Sequence, residues 1–555
     1  MLAHTKHLVV CMLPVFLIGC ASTKAPTYVV DTPAQKFSGL GSHTRVVTTT
    51  SPEAQTYFNQ GLNWMYAFNH DEAIRSFKKA AELDPTCAMA WWGISYCEGP
   101  NYNDPIMTDA RWQAAWDAMQ SALANVEHVT PVERDLIEAL QARYANPWPK
   151  DGSELKTAFG EAMAKVWAKH PNDSDVGTIY ADSLMVKRPW MLYDLDFKPA
   201  EDTAEIESVL ERVMAMDPTN PGAKHLYIHT VEPSGNPDRG IPVANQLGDL
   251  VPASGHLRHM PAHIYVKTGL WNQAIVQSVK AMQADDAYQK RSPKQTIQWL
   301  YMVHNSHMLA FAAMMTGREE AAMAAARDMW SDIPAEDLER VGPIFDFWMC
   351  SVFDVQKRFG RWDDIIAEPA PPKYLPITRA SWRAARAVAY AAKKDFKNAE
   401  REYRKFNHCR NKVPQDAYWG GPDLAINVLK VADHFIAGEI ALQKGNWEDA
   451  AEHLEEAAKI EDTLSYGEPP QWLQPVRHTL GAVYLKSGNF AEAERVYRED
   501  LAEWRENGWS LYGLTQALKA QGKTAEAAKF EHRFNSVWQY ADAPIDTSCK
   551  CIPSI

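Results

Sequence analysis

Apolar and polar positions recur along most of this chain with the period of amphipathic helices. Residues 109–124 and 131–144, for example, place their apolar side chains on one helical face. Breaks rich in proline, glycine and asparagine, such as residues 98–105 and 146–152, separate these stretches. The pattern therefore predicts an all-α protein made of helical hairpins.

The hairpins repeat at a fixed interval. His225 recurs as His259 and Pro218 as Pro252, in each case 34 residues later, and the proline is placed to end the second helix of a hairpin. The next unit is offset by 48 residues, which corresponds to one period plus an insertion of about 14 residues. Stacked units of this kind share a continuous core, so we expect a solenoid rather than a single globule.

Small and aromatic residues occupy the packing positions that such a repeat needs. Small residues let the two helices of a hairpin approach closely, and aromatic residues fill the gap to the next hairpin. In the first unit these positions are Gly61, Trp64, Ala73, Phe77, Ala80 and Pro85. The set resembles the tetratricopeptide repeat, and the resemblance implies a tetratricopeptide-type α-solenoid.

Composition divides the chain into five segments. Residues 1–19 have the features of a signal peptide, and residues 20–50 are polar and rich in threonine, which predicts a lipidated N-terminus and a flexible tether. The helical units form an N-terminal array at residues 51–330 and a less regular C-terminal array at residues 331–545. Residues 546–555 form a tail that contains two cysteines.

The first segment also predicts a location. Basic residues precede an apolar run at residues 8–16, and Leu17-Ile18-Gly19-Cys20 follows. These four residues resemble the bacterial lipobox, which implies cleavage before Cys20 and lipidation of that residue. Because alanine follows the cysteine, the resemblance favours the outer membrane, facing the periplasm. No later stretch is long and apolar enough to span a bilayer, so we expect the lipid to be the only membrane anchor.

Charge, motifs and cysteine usage narrow the functional classes. The formal net charge is -13 and no basic cluster is present, so nucleic acid is not an expected partner. The chain has no glycine motif for nucleotides, no HExxH and no Gly-x-Ser-x-Gly. The pair Cys549 and Cys551 is expected to form a disulfide or to remain as thiols, with a soft-metal site as the alternative.

Histidines are concentrated in the middle of the chain. Residues 225–307 hold seven of the 18 histidines, where the average density would give about three. Spacings of three or four residues place the members of each helix on one face, and in the tetratricopeptide resemblance that face lines the concave groove. Neighbouring helices pack about 8–10 Å apart, so the imidazoles can converge on one metal ion or two. The predicted ligands are His225, His229, His256, His259, His263, His304 and His307.

Other residues are expected to assist these ligands. Glu232 lies three residues beyond His229 on the same helical face, where we expect it to act as the catalytic general base more than as a metal ligand. Four more residues are expected to surround the ligands, namely Asp182, Tyr227, Tyr265 and Tyr301.

The strings around the histidines resemble a group of bacterial tetratricopeptide proteins. One such string is His256-Leu257-Arg258-His259-Met260-Pro261-Ala262-His263-Ile264. The shared signature is His-xx-Ile-His and His-Met-Pro-x-His-Ile, and the resemblance covers about residues 204–329. It implies that the histidines form one functional unit, and it implies no particular reaction.

The type of ligand indicates a transition metal. Neutral imidazoles suit zinc, copper, iron and nickel, whereas calcium and magnesium prefer oxygen ligands. Because carboxylates are few, we expect copper-dependent oxidation of a small molecule or peptide in the groove first, and zinc-dependent hydrolysis second. The alternative is a non-catalytic scaffold or metal-binding protein for an envelope partner. Additional acid–base residues would favour an enzyme, and a closed coordination sphere would favour metal storage.

The lipobox gives a test of localisation. Cys20→Ser removes the thiol that carries the lipid, so we expect this variant to leave the membrane fraction in a fractionation followed by immunoblotting. Cys409→Ser, which changes a cysteine outside the lipobox, is the matched control and should stay with the membranes. Retention of Cys20→Ser on membranes after a high-salt wash would contradict lipid anchoring.

Overall fold

A computed structural model describes residues 32–292, 295 and 298–552, so the signal peptide and the lipidation site expected at Cys20 lie outside the described residues. The described residues form 25 α-helices and no β-strand, which confirms the predicted all-α solenoid. Within this part of the chain, every helix is too short or too polar to qualify as a membrane-spanning segment.

The N-terminal array is built from the first fourteen helices. They are α1 (Pro52–Tyr66), α2 (His70–Leu83), α3 (Ala88–Glu98), α4 (Asp109–Ala124), α5 (Pro131–Gln141), α6 (Ser153–Lys169), α7 (Ser174–Met185), α8 (Thr203–Met216), α9 (Pro221–Val231), α10 (Ile241–Leu247), α11 (Gly255–Lys267), α12 (Trp271–Arg291), α13 (Gln298–Met315) and α14 (Glu319–Ser331).

The C-terminal array contains the remaining helices. They are α15 (Ala335–Phe345), α16 (Ser351–Arg358), α17 (Trp362–Ala367), α18 (Pro376–Ala392), α19 (Phe396–Arg410), α20 (Ala425–Gln443), α21 (Trp447–Glu461), α22 (Val476–Lys486), α23 (Phe490–Glu503), α24 (Gly508–Ala520) and α25 (Thr524–Trp538).

Phe77 shows how neighbouring hairpins pack. Its fully buried ring lies between α1 and α3, where Gly61 and Gly93 face it. A Cβ atom at either glycine would stand 2.7 Å from the ring, which is closer than side chains tolerate. The small and large residues that identified the repeat are therefore in direct contact, as the sequence predicted.

The insertion after the second histidine unit lengthens a helix. α12 has 21 residues, whereas α11 and α14 have 13 each. The extra turns are added to the second helix of the hairpin, so α13 still follows as the first helix of the next unit. The histidines of α13 therefore stay next to those of α11.

Residues 32–50 differ from the flexible tether that was expected for residues 20–50. They lie along the N-terminal array and are held there by polar contacts. His43 Nε2 lies 2.8 Å from one carboxylate oxygen of Asp175, and Arg45 Nη1 lies 3.0 Å from the other. The polar composition that predicted a tether instead supplies partners for charged groups on α7.

The C-terminal array folds back onto the histidine-bearing helices. Trp509 Nε1 donates a hydrogen bond to the carbonyl oxygen of Met314 at 2.7 Å. Trp271 Nε1 donates to the carbonyl oxygen of Arg505 at 2.8 Å. These contacts hold α24 and the turn before it against α12 and α13. The segment between α21 and α22 thereby comes close to α9 and α11.

Phe77→Ala tests the packing between hairpins. Removing a fully buried ring should lower the local free energy of unfolding by about 3–5 kcal/mol. We expect faster amide hydrogen exchange across α1–α3, with α22–α24 as an internal reference in the same sample. Val46→Ala, at a side chain that is 88% exposed, is the control and should leave exchange unchanged. Equal exchange rates in Phe77→Ala and the wild type would contradict this packing.

Candidate metal centre

α9 carries the first two histidines and lies unusually close to α1. Asn220 caps the helix by accepting a hydrogen bond from the backbone N–H of Ala223, and Pro221 occupies the first turn. Gly222 faces the ring of Tyr66, where a Cβ atom would stand only 2.5 Å away. Glycine at this position therefore permits the close approach of the two helices.

His225, His229 and His256 form a first group, which we call the first triad. One nitrogen from each lies within 4.8 Å of the others, and all three side chains are buried. His225 Nδ1 lies 2.7 Å from the backbone oxygen of Tyr66, so it donates there and leaves Nε2 with a free lone pair. That Nε2 atom lies 3.0 Å from His256 Nε2.

His259, His263 and His304 form the second triad. Their Nε2 atoms are mutually close, at 2.6 Å between His259 and His263, 2.9 Å between His259 and His304, and 3.3 Å between His263 and His304. Ligand nitrogens bound at 2.0–2.1 Å to a tetrahedral ion stand roughly 3.3 Å apart. The second triad is therefore close to the spacing that a bound ion requires.

The two triads have the same design. Each takes two histidines four residues apart from one helix and a third from the next first helix along the array. α9 and α11 supply the first triad, and α11 and α13 supply the second. The repeat period therefore generates two adjacent sites, in which α11 contributes to both.

Glu232 connects the triads. It directly follows α9, and its two carboxylate oxygens lie 2.8 Å from His229 Nδ1 and 2.5 Å from His263 Nδ1. One histidine of each triad is thus oriented by the same carboxylate. Burial raises the pKa of Glu232, but the neighbouring His263 and His229 outweigh burial and hold the pKa well below its usual range.

The burial of the triads also sets the charge of their members. Burial, followed by the neighbouring histidines, lowers the pKa values of four imidazoles, which keeps them neutral. These are His225, His256, His259 and His304. Burial also lowers the pKa of His263, but the charges of Glu232 and Glu468 outweigh it and raise this pKa to about 10.

Glu468 is a second carboxylate at the site, and it comes from the segment between α21 and α22. One of its oxygens lies 3.0 Å from His263 Nδ1, and the other lies 3.9 Å from His229 Nδ1. Burial and the charge of Glu232 raise the pKa of Glu468. Burial, followed by the charges of Glu232 and Glu468, raises the pKa of Tyr466 from the same segment. The C-terminal array therefore contributes directly to the site.

Aromatic and amide groups cover the first triad. Phe68, which adopts a left-handed backbone conformation with φ of 54° between α1 and α2, places its ring centroid 4.3 Å from that of His225. Tyr102 and Asn103, in the loop after α3, contact His229 from another side, with an Asn103 Nδ2 to His229 Nε2 distance of 3.5 Å. The face expected to line an open groove is therefore closed over.

The remaining five residues that were predicted for the site do not lie together. The ring centroid of Tyr301 is 4.4 Å from that of His256, so Tyr301 borders the first triad. His307 belongs to neither triad, and burial lowers its pKa to about 3. The hydroxyl groups of Tyr227 and Tyr265 donate to Glu211 and Asn245, away from the triads. Asp182 accepts a hydrogen bond from Tyr96 and does not bond to a histidine.

The structure adds residues that the sequence pattern did not identify. Glu468 and Tyr466 lie more than 200 residues beyond the last histidine of α9 in the chain, in a segment without a recognisable motif. Asn103 lies in a loop whose only signal was its turn-forming composition. Only the closing of the C-terminal array onto α9 and α11 brings the first two residues to the site.

Comparisons with known proteins support the repeat type. Models of the tetratricopeptide repeat match residues 54–87 and residues 478–508, one stretch in each array. Comparison with curated protein sequences gives no match.

Among solved structures, the human IFIT1 dimer with m7Gppp-AAAA is 15% identical, and the alignment covers 88% of this chain and 91% of that chain with a TM-score of 0.33. The APC/C hetero-tetramer Cut9-Hcn1 is 12% identical, with 84% and 76% of the two chains covered and a TM-score of 0.31. Both likenesses are distant. The repeat type rests on the two matched stretches and on the packing of the helices described above.

Proposed function

We propose that this protein is a cell-envelope metalloenzyme that binds two copper ions in the two histidine triads and oxidises a small molecule or peptide. The observation that carries the proposal is the pair of triads joined by Glu232, in which every histidine is buried except the partly buried His304. Each triad offers three imidazole nitrogens to one ion. Scattered polar residues on the surface of a solenoid provide fewer converging ligands.

The ligands fit zinc, copper, iron and nickel, and oxidation chemistry excludes zinc from this set because zinc is not redox-active. All six triad members are imidazoles, and no carboxylate or thiolate belongs to either triad. Imidazole ligands suit copper, whereas calcium, magnesium and manganese prefer oxygen ligands. A pair of neighbouring copper ions can exchange two electrons with a bound molecule.

The incomplete coordination favours an enzyme over a metal store. Three protein ligands leave a position for water, dioxygen or substrate, in the manner of catalytic sites. Acid–base groups also surround the triads, since Glu468 and Tyr466 stand beside His263 and Glu232. These groups are suited to transferring the protons that accompany oxidation.

Dioxygen is the oxidant in this proposal. Two substrate molecules each lose two electrons and two protons, and one dioxygen takes up the four electrons and four protons to give two water molecules. The copper ions supply the electron transfer. Glu232 accepts hydrogen bonds from the Nδ1–H groups of His229 and His263 and so fixes the orientation of both rings. The carboxyl group of Glu468 lies beside His263. Burial excludes bulk water from the first triad, whereas His304 of the second triad is only partly buried.

A second arrangement of ligands supports zinc as the alternative metal. His229, Glu232, His263 and Glu468 also bring one donor atom each to within 4.8 Å of one another. An ion at this position would take Nδ1 from each histidine and an oxygen from each carboxylate. Mixed nitrogen and oxygen ligands suit zinc, and such a site would hold one ion instead of two.

The location and partners of the protein belong to the same proposal. The lipobox resemblance supports an anchor in the outer membrane facing the periplasm, where copper and dioxygen are accessible. A tetratricopeptide-type array also fits a scaffold, so an envelope protein partner on its outer surface is compatible with a buried metal centre.

Paired histidine substitutions test the number and place of the ions. We expect two copper ions per wild-type chain, measured by elemental mass spectrometry on protein purified without chelators. His225→Ala with His256→Ala should lose one ion, and His259→Ala with His304→Ala should lose the other. Circular dichroism should show that the helices remain, because the contacts between small and aromatic residues of neighbouring hairpins, such as Phe77 with Gly61 and Gly93, do not involve these side chains.

His307→Ala is the matched control, since His307 is a buried histidine of α13 outside both triads, and it should retain both ions. Oxygen uptake with catechol as the probe should fall at least about 100-fold in either double variant. One zinc ion per chain that survives both double variants would overturn the copper proposal and favour the mixed-ligand site.

Glu232→Gln tests the carboxylate that joins the triads. A carboxamide has one acceptor oxygen, so it can satisfy one imidazole N–H and must turn its own N–H₂ toward the other. We expect metal affinity to fall about 10–100-fold, measured by competition with a chelator. Glu211→Gln, on α8 and bonded to Tyr227, is the control and should leave affinity unchanged. Normal affinity with oxygen uptake reduced about 100–10,000-fold would instead assign Glu232 the role of a general base.

A further inference from the structure

The C-terminal tail packs into the C-terminal array and is buried there. Arg358 of α16 donates a hydrogen bond to the backbone oxygen of Ser548, and the Ser548 hydroxyl donates to the backbone oxygen of His478 at 2.8 Å. Gln443 of α20 donates to the backbone oxygen of Cys551. The tail is therefore fixed between α16, α20 and α22, far along the chain from the histidine triads.

This packing brings three metal-ligating side chains together. Cys549 and Cys551 form a disulfide, and Cys549 Sγ lies 3.8 Å from one carboxylate oxygen of Glu439 in α20. All three side chains are buried, and one donor atom of each lies within 4.8 Å of the others. The other oxygen of Glu439 has no hydrogen-bond partner among the described residues. A buried carboxyl group without a partner is unfavourable, so this oxygen indicates a missing ligand.

The disulfide itself is an inefficient structural cross-link. Its cysteines are two residues apart, and the stabilisation from a disulfide falls as the closed loop becomes shorter. Hydrogen bonds from Arg358 and Gln443 already hold the tail in place. A role in redox or metal chemistry therefore accounts for the cysteine pair better than a role in stability does.

We propose that Glu439, Cys549 and Cys551 form a redox-gated site for a soft monovalent metal ion, Cu(I). In the disulfide form the sulfur atoms are poor ligands, and reduction to two thiols opens the site. The inference is independent of the histidine triads, because no residue is shared between the two sites.

The number and type of donors select the ion. Thiolates are soft ligands that favour Cu(I), and two of them separated by a single residue can bind an ion of low coordination number. A structural zinc site needs four protein ligands, and this group provides three. Glu439 supplies the third polar contact.

Both redox steps exchange two electrons with an external thiol–disulfide pair. An external dithiol reduces the Cys549–Cys551 disulfide, so that two thiols form on the protein and the dithiol becomes a disulfide. Cu(I) then replaces the two thiol protons, which leave to solvent, and a bis-thiolate complex forms. An external disulfide then takes up two electrons and two protons to become a dithiol, which re-forms the Cys549–Cys551 disulfide and releases the ion.

Cu(I) uptake before and after reduction tests the site. The full chain is reduced anaerobically with a phosphine, which is then removed, and Cu(I) is presented with bicinchoninate as the competing chelator. We expect the reduced protein to take up one more ion per chain than the oxidised protein. Cys549→Ser with Cys551→Ser should abolish this difference, and Cys409→Ser, at a free cysteine elsewhere, should preserve it.

Two further variants separate the possible outcomes. Glu439→Gln leaves the disulfide intact and should weaken Cu(I) binding about 10-fold in the reduced protein. His229→Ala with His263→Ala should keep the redox-dependent ion, so a failure of the triads is distinguishable from a failure of this site. Equal uptake before and after reduction, or an extra ion that persists without both cysteines, would overturn the proposal.

Discussion

A single buried carboxylate sets the geometry of the histidine centre. Glu232 accepts hydrogen bonds from one imidazole on α9 and one on α11, so these two helices must keep a fixed separation. Leaving such a carboxylate unpaired in the interior is strongly unfavourable, and pairing it with two N–H groups compensates much of that penalty. The same bonds turn the Nε2 atoms of His229 and His263 toward their triads. The hydrogen bonds of Glu232 therefore fix both the orientation of the ligands and the separation of the two helices.

The second carboxylate ties the centre to the closing of the solenoid. Glu468 reaches His263 only because α24 and the turn before it pack against α12 and α13 through Trp509 and Trp271. The N-terminal array supplies all the histidines, and the C-terminal array supplies a carboxyl group and the phenol of Tyr466. The complete site is therefore a product of both arrays.

The repeat period predicted that the histidines lie on neighbouring helices. Local helical geometry explains why some of the other predicted site residues lie away from the triads. Tyr227 and Tyr265 each stand two residues after a triad histidine, about 200° around the helix, so their side chains leave the opposite face. Tyr301 stands three residues before His304 and borders the first triad. Glu468 was not predictable, because a repeat pattern encodes contacts between neighbouring units and this contact joins units far apart.

Metal binding should also stabilise the contact between the arrays. An ion that binds the folded site but not an opened one stabilises the closed form by RT ln(1 + [L]/Kd). Since Glu468 and Glu232 hold the same imidazole of the second triad, separation of the arrays would remove one of the groups that orients His263. Weaker orientation would lower metal affinity, and loss of the metal would in turn favour separation. A metal ion bound to the triads and the closed form of the solenoid would therefore stabilise each other.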